Sequence, residues 1–150
     1  EAFKSTKDIF RESAFAWHTW AWASLQCRKG KNKAFVYYFD HRTPSSPDGA
    51  SHAAEIPYVF RNLGGWRGAP SAEDNAMSDL MSAYWVNFAA SGDPNGPGLP
   101  AWPAFDEKEM RAMFFDKAPG ARPLPNLDKL KALDGYYAWR RAQAKAGASK

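Results

Sequence analysis

Residues 49–60 read Gly49-Ala50-Ser51-His52-Ala53-Ala54-Glu55-Ile56-Pro57-Tyr58-Val59-Phe60. A histidine on a Gly/Ala/Ser loop, followed by the Glu55 carboxylate and a compact apolar run, is one way to present the general base of a triad. Such a base still needs a nucleophile to activate, and the chain offers no convincing one. Upstream, Ala34-Phe35-Val36-Tyr37-Tyr38-Phe39-Asp40 is a continuous β-branched and aromatic run, the pattern of a strand buried inside a parallel sheet. Between the two, Thr43-Pro44-Ser45-Ser46-Pro47-Asp48-Gly49 is turn chemistry throughout. His52 thus falls on a loop beyond the C-terminal end of a strand, where open α/β sheets gather their chemistry. His41 adjoins the strand without the small-residue setting that lets a ring face a cleft, and is the weaker candidate.

On the N-terminal side, Ser5 or Thr6 can cap a helix, with Asp8 and Glu12 favourably placed in its early turns. Phe10, Ala14, Trp17, Ala21 and Leu25 recur at helical spacing. Because Phe15, Trp20 and Trp22 lie off that stripe, the helix is expected to have neighbours on more than one side. His18, among these tryptophans, is expected to be partly buried and satisfied, since nothing at i±4 would make a metal pair. Cys27 is the single cysteine. It cannot form an internal disulfide and is expected to be idle rather than reactive.

On the C-terminal side, Glu55 to Phe60 can form a short helical turn with Pro57 near its start. Gly64-Gly65-Trp66-Arg67-Gly68-Ala69-Pro70 is too glycine-rich for regular structure. Ser71 then precedes an amphipathic helix, with Asp74 placed for a shortened capping box and Met77, Leu80, Met81, Tyr84, Trp85, Phe88 and Ala89 as its core stripe. Gly92 to Pro103 is a stiff, turn-rich connection. Ala112-Met113-Phe114-Phe115 predicts a second strand. A last helix follows, with Asn126 as the cap, a face of Leu127, Leu130, Leu133 and Tyr137, and an interruption at Gly135.

The chain has 150 residues, 45% hydrophobic and 24% charged, a balance that points to one soluble globular unit without an internal domain boundary. No apolar run approaches a membrane span. The net charge of +4 arises from Arg140, Arg141, Lys145 and Lys150, which account for the whole excess of Lys and Arg over Asp and Glu. A basic terminus without an aromatic-plus-basic platform does not point to nucleic acid. Glu1-Ala2-Phe3 has no initiator Met and no signal-peptide pattern, so it reads as an internal start left by processing or cleavage.

Only two strands are predicted, beside helices with large aromatic faces, and two strands rarely make an independent sheet. Seven Trp, ten Phe and six Tyr are more apolar surface than so small a sheet covers. The chain reads as part of a larger fold. The 49–60 stretch, Tyr38-Phe39-Asp40, Tyr84-Trp85-Val86-Asn87-Phe88-Ala89-Ala90-Ser91-Gly92-Asp93-Pro94-Asn95 and Trp102-Pro103-Ala104-Phe105 together resemble the C-terminal part of type-B carboxylesterases. These form the carboxylesterase and cholinesterase family, which includes para-nitrobenzyl esterase-like members.

That resemblance implies an α/β fold, here the C-terminal portion of one α/β-hydrolase catalytic domain over residues 1–150, incomplete as an isolated chain. It implies carboxylic ester hydrolysis with neither a metal nor an organic cofactor, a small-molecule ester as substrate, and the upstream part of the same enzyme as partner. It also leans toward a secreted or periplasmic location. His52 matches the family's catalytic histidine. Glu55 matches a buried acidic residue that supports the histidine rather than serving as the triad acid, and Ser51 belongs to the same supporting layer. The chain departs from the family at Ser51, where an aromatic or aliphatic residue is commoner, and at Ala53, where glycine is.

In α/β-hydrolases the triad runs Ser, then Asp or Glu, then His, so a chain starting shortly before the histidine is expected to lack the other two. It contains no Gly-x-Ser-x-Gly. His52-Ala53-Ala54-Glu55 also looks like half of a zinc signature, but no second histidine follows. Two other readings stand beside the esterase: a cholinesterase-like binding or adhesion module, and an independent helical interaction domain.

Overall fold

A computed structural model describes residues 6, 9–64 and 69–148. Ser5, Asp8 and the central residues 65–68 of the glycine-rich loop, all named above, lie outside the described residues. The first helix is already helical at residues 9–11, widens into a π-helical turn, Glu12–Ala16, and continues as α1, Trp17–Lys29. There follow β1 (Tyr37–Phe39), α2 (Ile56–Val59), α3 (Ala72–Ser91), β2 (Arg111–Phe115), β3 (Gly120–Pro123) and α4 (Leu127–Ala148).

β2 is the middle strand of three. It pairs in parallel with β1, placing Tyr37 opposite Met113 and Phe39 opposite Phe115, and antiparallel with β3, placing Arg111 opposite Pro123. Alternate residues of β2 enter two cores. Met113 and Phe115 pack with Tyr58, Val59, Met77, Met81, Tyr84 and Trp102 on the α2/α3 face. Ala112 packs with Ala23, Val36 and Phe105 on the α1 face, with Phe114 at its margin. Burial on both faces is why β2 reads as an unbroken apolar run rather than an alternating one.

β3 corrects the expectation of two strands. Gly-Ala-Arg-Pro has poor intrinsic strand character, but β2 offers an open row of backbone groups and β3 takes it up, with Pro123 at its end on an edge. Arg122 adds cross-strand support: its guanidinium lies 4.2 Å from the Phe114 ring centroid and 2.6 Å from Asp116 Oδ2.

The expected stripe on the first helix is also corrected. Ala23 and Ser24 are buried, whereas Phe10 and Leu25 are exposed. His18 is exposed rather than partly buried, with Trp17 edge-on at 4.9 Å. A helix apolar around most of its circumference carries no periodic signal for the face that meets the sheet. The face carrying Trp20 and Ala23 packs there, and Trp22 on the far side is 76% exposed. Gly135 does not interrupt α4, which runs through it. One helical glycine costs about 1 kcal/mol, and the flanking Ala, Leu, Lys and Arg outweigh that.

Ser71 caps α3 as expected: its hydroxyl accepts from Asp74 N–H at 3.0 Å, and the Asp74 carboxylate accepts from Ser71 N–H at 3.0 Å. Downstream, Asn95 fastens the 92–103 connection. Its Oδ1 accepts from Trp102 N–H at 2.8 Å and its Nδ2 donates to the Trp102 carbonyl at 2.9 Å. The indole of Trp102, itself buried, donates to the Val36 carbonyl at 3.1 Å, and so joins that connection to the segment leading into β1.

The chain exposes 10229 Å², where a compact chain of its mass exposes about 7,600 Å². Large apolar side chains, among them Trp22, Leu25, Phe60 and Trp139, stand exposed. A groove of about 610 Å³ runs between α1 and the segment before β1, lined by Trp22, Leu25, Ala34, Phe35 and Val36 among others. The second edge of β1 has no strand partner among the described residues. No helix among the described residues is long and apolar enough to cross a membrane. Replacing Asn95→Ala removes the partner of a buried Trp102 N–H, so a loss of about 2 kcal/mol is expected in denaturant unfolding. A change below a few tenths of a kcal/mol would show that water replaces the amide.

Candidate active site

β1 ends at Phe39, and Asp40 N–H continues the ladder to the Phe115 carbonyl at 2.9 Å. The Asp40 carboxylate then organises the start of the turn region, accepting from Ala50 N–H at 3.4 Å and from Arg42 at 3.3 Å. Gly49 is required there twice over. Its φ is +117°, and a Cβ would lie 2.7 Å from Asp40 Oδ1.

From Ser51 the chain tightens into turns. Ala54 N–H donates to the Ser51 carbonyl at 3.2 Å and Ile56 N–H to the Ala53 carbonyl at 3.4 Å, leading into α2. Ala53 has φ 64°, the left-handed region in which a Cβ is strained. It is the position at which the resemblance expected glycine, and this backbone supplies the physical reason.

His52 is exposed. Its ring stacks on Phe15, with centroids 4.4 Å apart and planes 22° from parallel. Among the described residues no hydrogen bond reaches either ring nitrogen. Ser51 is also exposed, and its carbonyl rather than its hydroxyl takes part in the turn. Glu55 is half-buried and accepts from the Tyr37 hydroxyl at 3.1 Å. Burial, and then the adjacent Glu55 charge, push the Tyr37 phenol well above its ordinary range, so it remains a donor. Among the described residues no hydrogen bond or ion pair joins the Glu55 carboxylate to the His52 ring. The structure brings Glu55 to the sheet and His52 to the first helix.

A group that sequence reasoning did not assemble lies beside this loop. Asp74, besides capping α3, binds His41 and Tyr58 through its other oxygen. His41 Nε2 and the Tyr58 hydroxyl both lie 2.8 Å from Oδ1. Burial alone would raise the Asp74 carboxyl. The Ser71 N–H, the Tyr58 hydroxyl, His41 and the Ser71 hydroxyl outweigh it and bring the pKa from 3.8 to about 2. An ionised carboxylate only accepts, so His41 Nε2 carries the proton of that bond. Ser78 completes the joint by donating to the Tyr58 carbonyl at 2.8 Å. The weaker candidate His41 is thus buried and committed to fastening the end of β1 to α2 and α3. Ser71 and Asp74 were legible as a cap, but His41 is 33 residues from Asp74 and no local pattern joins them.

Cys27, expected to be a buried or idle thiol, is exposed. Its thiol donates to the Phe105 carbonyl at 3.1 Å, and burial of the sulfur followed by the Glu107 and Asp106 charges raise its pKa. Among the described residues no three His, Cys, Asp or Glu side chains converge as a metal-binding set.

A parallel strand pair between helical layers, with the histidine loop leaving the C-terminal end of β1, is part of an α/β-hydrolase domain. A profile of the Carboxylesterase family matches residues 1–131, and the chain belongs to that family. It is similar to human cocaine esterase, at 35% identity over 113 residues, covering 69% of this chain and 20% of that protein. Among solved structures it is similar to a carboxylesterase of Geobacillus stearothermophilus, at 35% identity and a TM-score of 0.54, covering 67% of this chain and 21% of the other. A PNB esterase gives a TM-score of 0.64 at 28% identity, covering 74% of this chain and 23% of the other. The chain spans about a fifth of the length of the relatives it matches.

Asp74 sets an acid limit on stability. Its folded pKa lies below its unfolded value, so its contribution is complete above about pH 4 and is lost as pH falls toward 2, a matter of about 2 kcal/mol. Urea midpoints measured across that window are expected to fall in the wild type. Asp74→Asn is expected to be less stable at pH 7 and to show a flatter acid decline; an equally steep one would place the sensitivity elsewhere. At Ala53, removing the strained Cβ gains about 1–2 kcal/mol, against about 0.5–1 kcal/mol of glycine entropy. Ala53→Gly is therefore expected to raise the thermal midpoint, and a lowered midpoint would show that the loop carries no strain.

Proposed function

We propose that this chain is the C-terminal segment of one α/β-hydrolase catalytic domain, and that the complete protein hydrolyses carboxylic esters with a Ser-His-Asp/Glu triad in which His52 is the base. The observation that carries the reading is His52 itself. In a chain of the Carboxylesterase family, it stands exposed on the loop beyond β1 with its ring nitrogens unengaged among the described residues. The serine, the acid and the oxyanion donors would come from upstream polypeptide. The edge of β1 that has no strand partner among the described residues and the apolar groove beside α1 are where that polypeptide would pack.

In this mechanism the neutral His52 imidazole takes the serine proton as the hydroxyl attacks the ester carbonyl, forming an acyl-enzyme. The imidazolium then returns the proton to the departing alcohol. The same imidazole next removes a proton from the water that attacks the acyl-enzyme, and returns it to the serine oxygen as that bond breaks and the acid is released. Backbone donors stabilise the oxyanion of each tetrahedral intermediate. Glu55 acts at one remove: by holding the Tyr37 hydroxyl it ties the first turn after His52 to β1.

The test is ester hydrolysis by the complete polypeptide. His52→Ala should lower turnover by about 10⁴-fold without altering the unfolding transition. Glu55→Gln should cost far less. Near-normal turnover in His52→Ala would end the assignment and favour a binding or adhesion role, whereas equal losses would make Glu55 the triad acid. The 150-residue chain alone should be inactive, because a base without its nucleophile has nothing to deprotonate.

A further inference from the structure

We propose that Phe15 is the positioning residue for the His52 imidazole, an inference that rests on the reading of His52 as the base. The two rings are 37 positions apart in sequence and meet face to face, 4.4 Å between centroids and 22° from parallel. A histidine ring on an exposed turn has a broad, roughly two-fold χ2 preference. Stacking removes that freedom by fixing the ring plane against a second plane. The nitrogens of imidazole form hydrogen bonds in the plane of the ring. A fixed plane therefore selects the directions from which a hydroxyl and a carboxylate can reach Nε2 and Nδ1, and a stacked neighbour does so without occupying either nitrogen.

The platform beneath His52 is itself held. Phe15 belongs to the π-helical turn Glu12–Ala16, a wide turn of the kind that re-aims side chains at functional positions. At the start of that turn Glu12 is buried, with its Oε1 accepting from Arg11 at 2.7 Å and from Asn126 Nδ2 at 2.8 Å. The turn is thereby fastened to the residue preceding α4. Asn126, expected as a helix cap, has its side chain committed to this contact and a φ of 54°. Phe10 meets the Phe15 ring edge-on, with centroids 5.7 Å apart. These contacts hold the turn that presents the Phe15 ring, itself 38% exposed, to the His52 loop.

The experiment uses the complete polypeptide and compares Phe15→Leu with Phe15→Tyr. Leucine keeps apolar bulk but loses the plane; tyrosine keeps the plane. Phe15→Leu should lower kcat about tenfold, as expected for a misaligned catalytic group, with KM within about twofold. The upfield ring-current displacement of the His52 ring protons, assigned in histidine-labelled protein, should be lost with it. Phe15→Tyr should keep that displacement and a kcat within about threefold of wild type. Unchanged kcat in Phe15→Leu with the displacement lost would overturn the proposal, and so would a raised KM at constant kcat, which would make Phe15 a wall of the substrate site. If Phe15→Leu does not fold, a tenfold loss of kcat in folded Phe15→Tyr overturns the proposal, and near-wild-type kcat with the displacement intact supports it. His52→Ala separates the two claims. Near-normal activity there defeats the base assignment, whereas an inactive His52→Ala beside a fully active Phe15→Leu defeats only the stack.

Discussion

Two parallel strands cannot be joined by a tight turn, and the pairing of Tyr37–Phe39 with Met113–Phe115 shapes the rest of the chain. The connection between them must leave one end of β1, cross a face of the sheet and return to the start of β2. In doing so it carries the His52 loop, α2 and α3. The candidate site therefore lies at the C-terminal end of β1 by topology, and the aromatic core formed by Tyr84, Trp102 and Phe115 holds the returning chain against the strands.

Asp74 makes this crossover rigid near its functional end. One carboxylate oxygen closes the α3 cap and the other gathers His41 and Tyr58. Three elements are thus referred to a single charge. Removing one partner from so enclosed a group would leave the others short of hydrogen bonds, so the joint is cooperative rather than a set of separable bonds. The His52 loop lies between two of the fastened points, His41 and Tyr58.

The face between α1 and the segment before β1 is unfinished. Trp22 and Leu25 stand exposed beside an open strand edge, and the area of the chain exceeds that of a compact body of its mass. Surfaces of this kind are stable against a neighbour and hazardous without one. Membership of the Carboxylesterase family, with about a fifth of the relatives' length present, accounts for an aromatic content too large for so small a sheet.

Features whose partners are close in sequence were legible from residue order. The Ser71–Asp74 cap, the buried run at Ala112–Phe115, the turn-rich approach to His52 and the short helical turn after Glu55 each announce themselves within a few residues. The glycine expected at position 53 was legible as a departure from the family, and its physical meaning came with the left-handed backbone. Other features depend on which surfaces meet. Residue order could not choose the buried face of α1, because several faces are apolar. It could not foresee β3, whose weak residues pair because β2 presents an open edge. Nor could it join His41 to Asp74, Glu12 to Asn126 or Phe15 to His52. Local propensity acts between neighbours along the chain, whereas these contacts form between residues that become neighbours only when the helices close over the sheet.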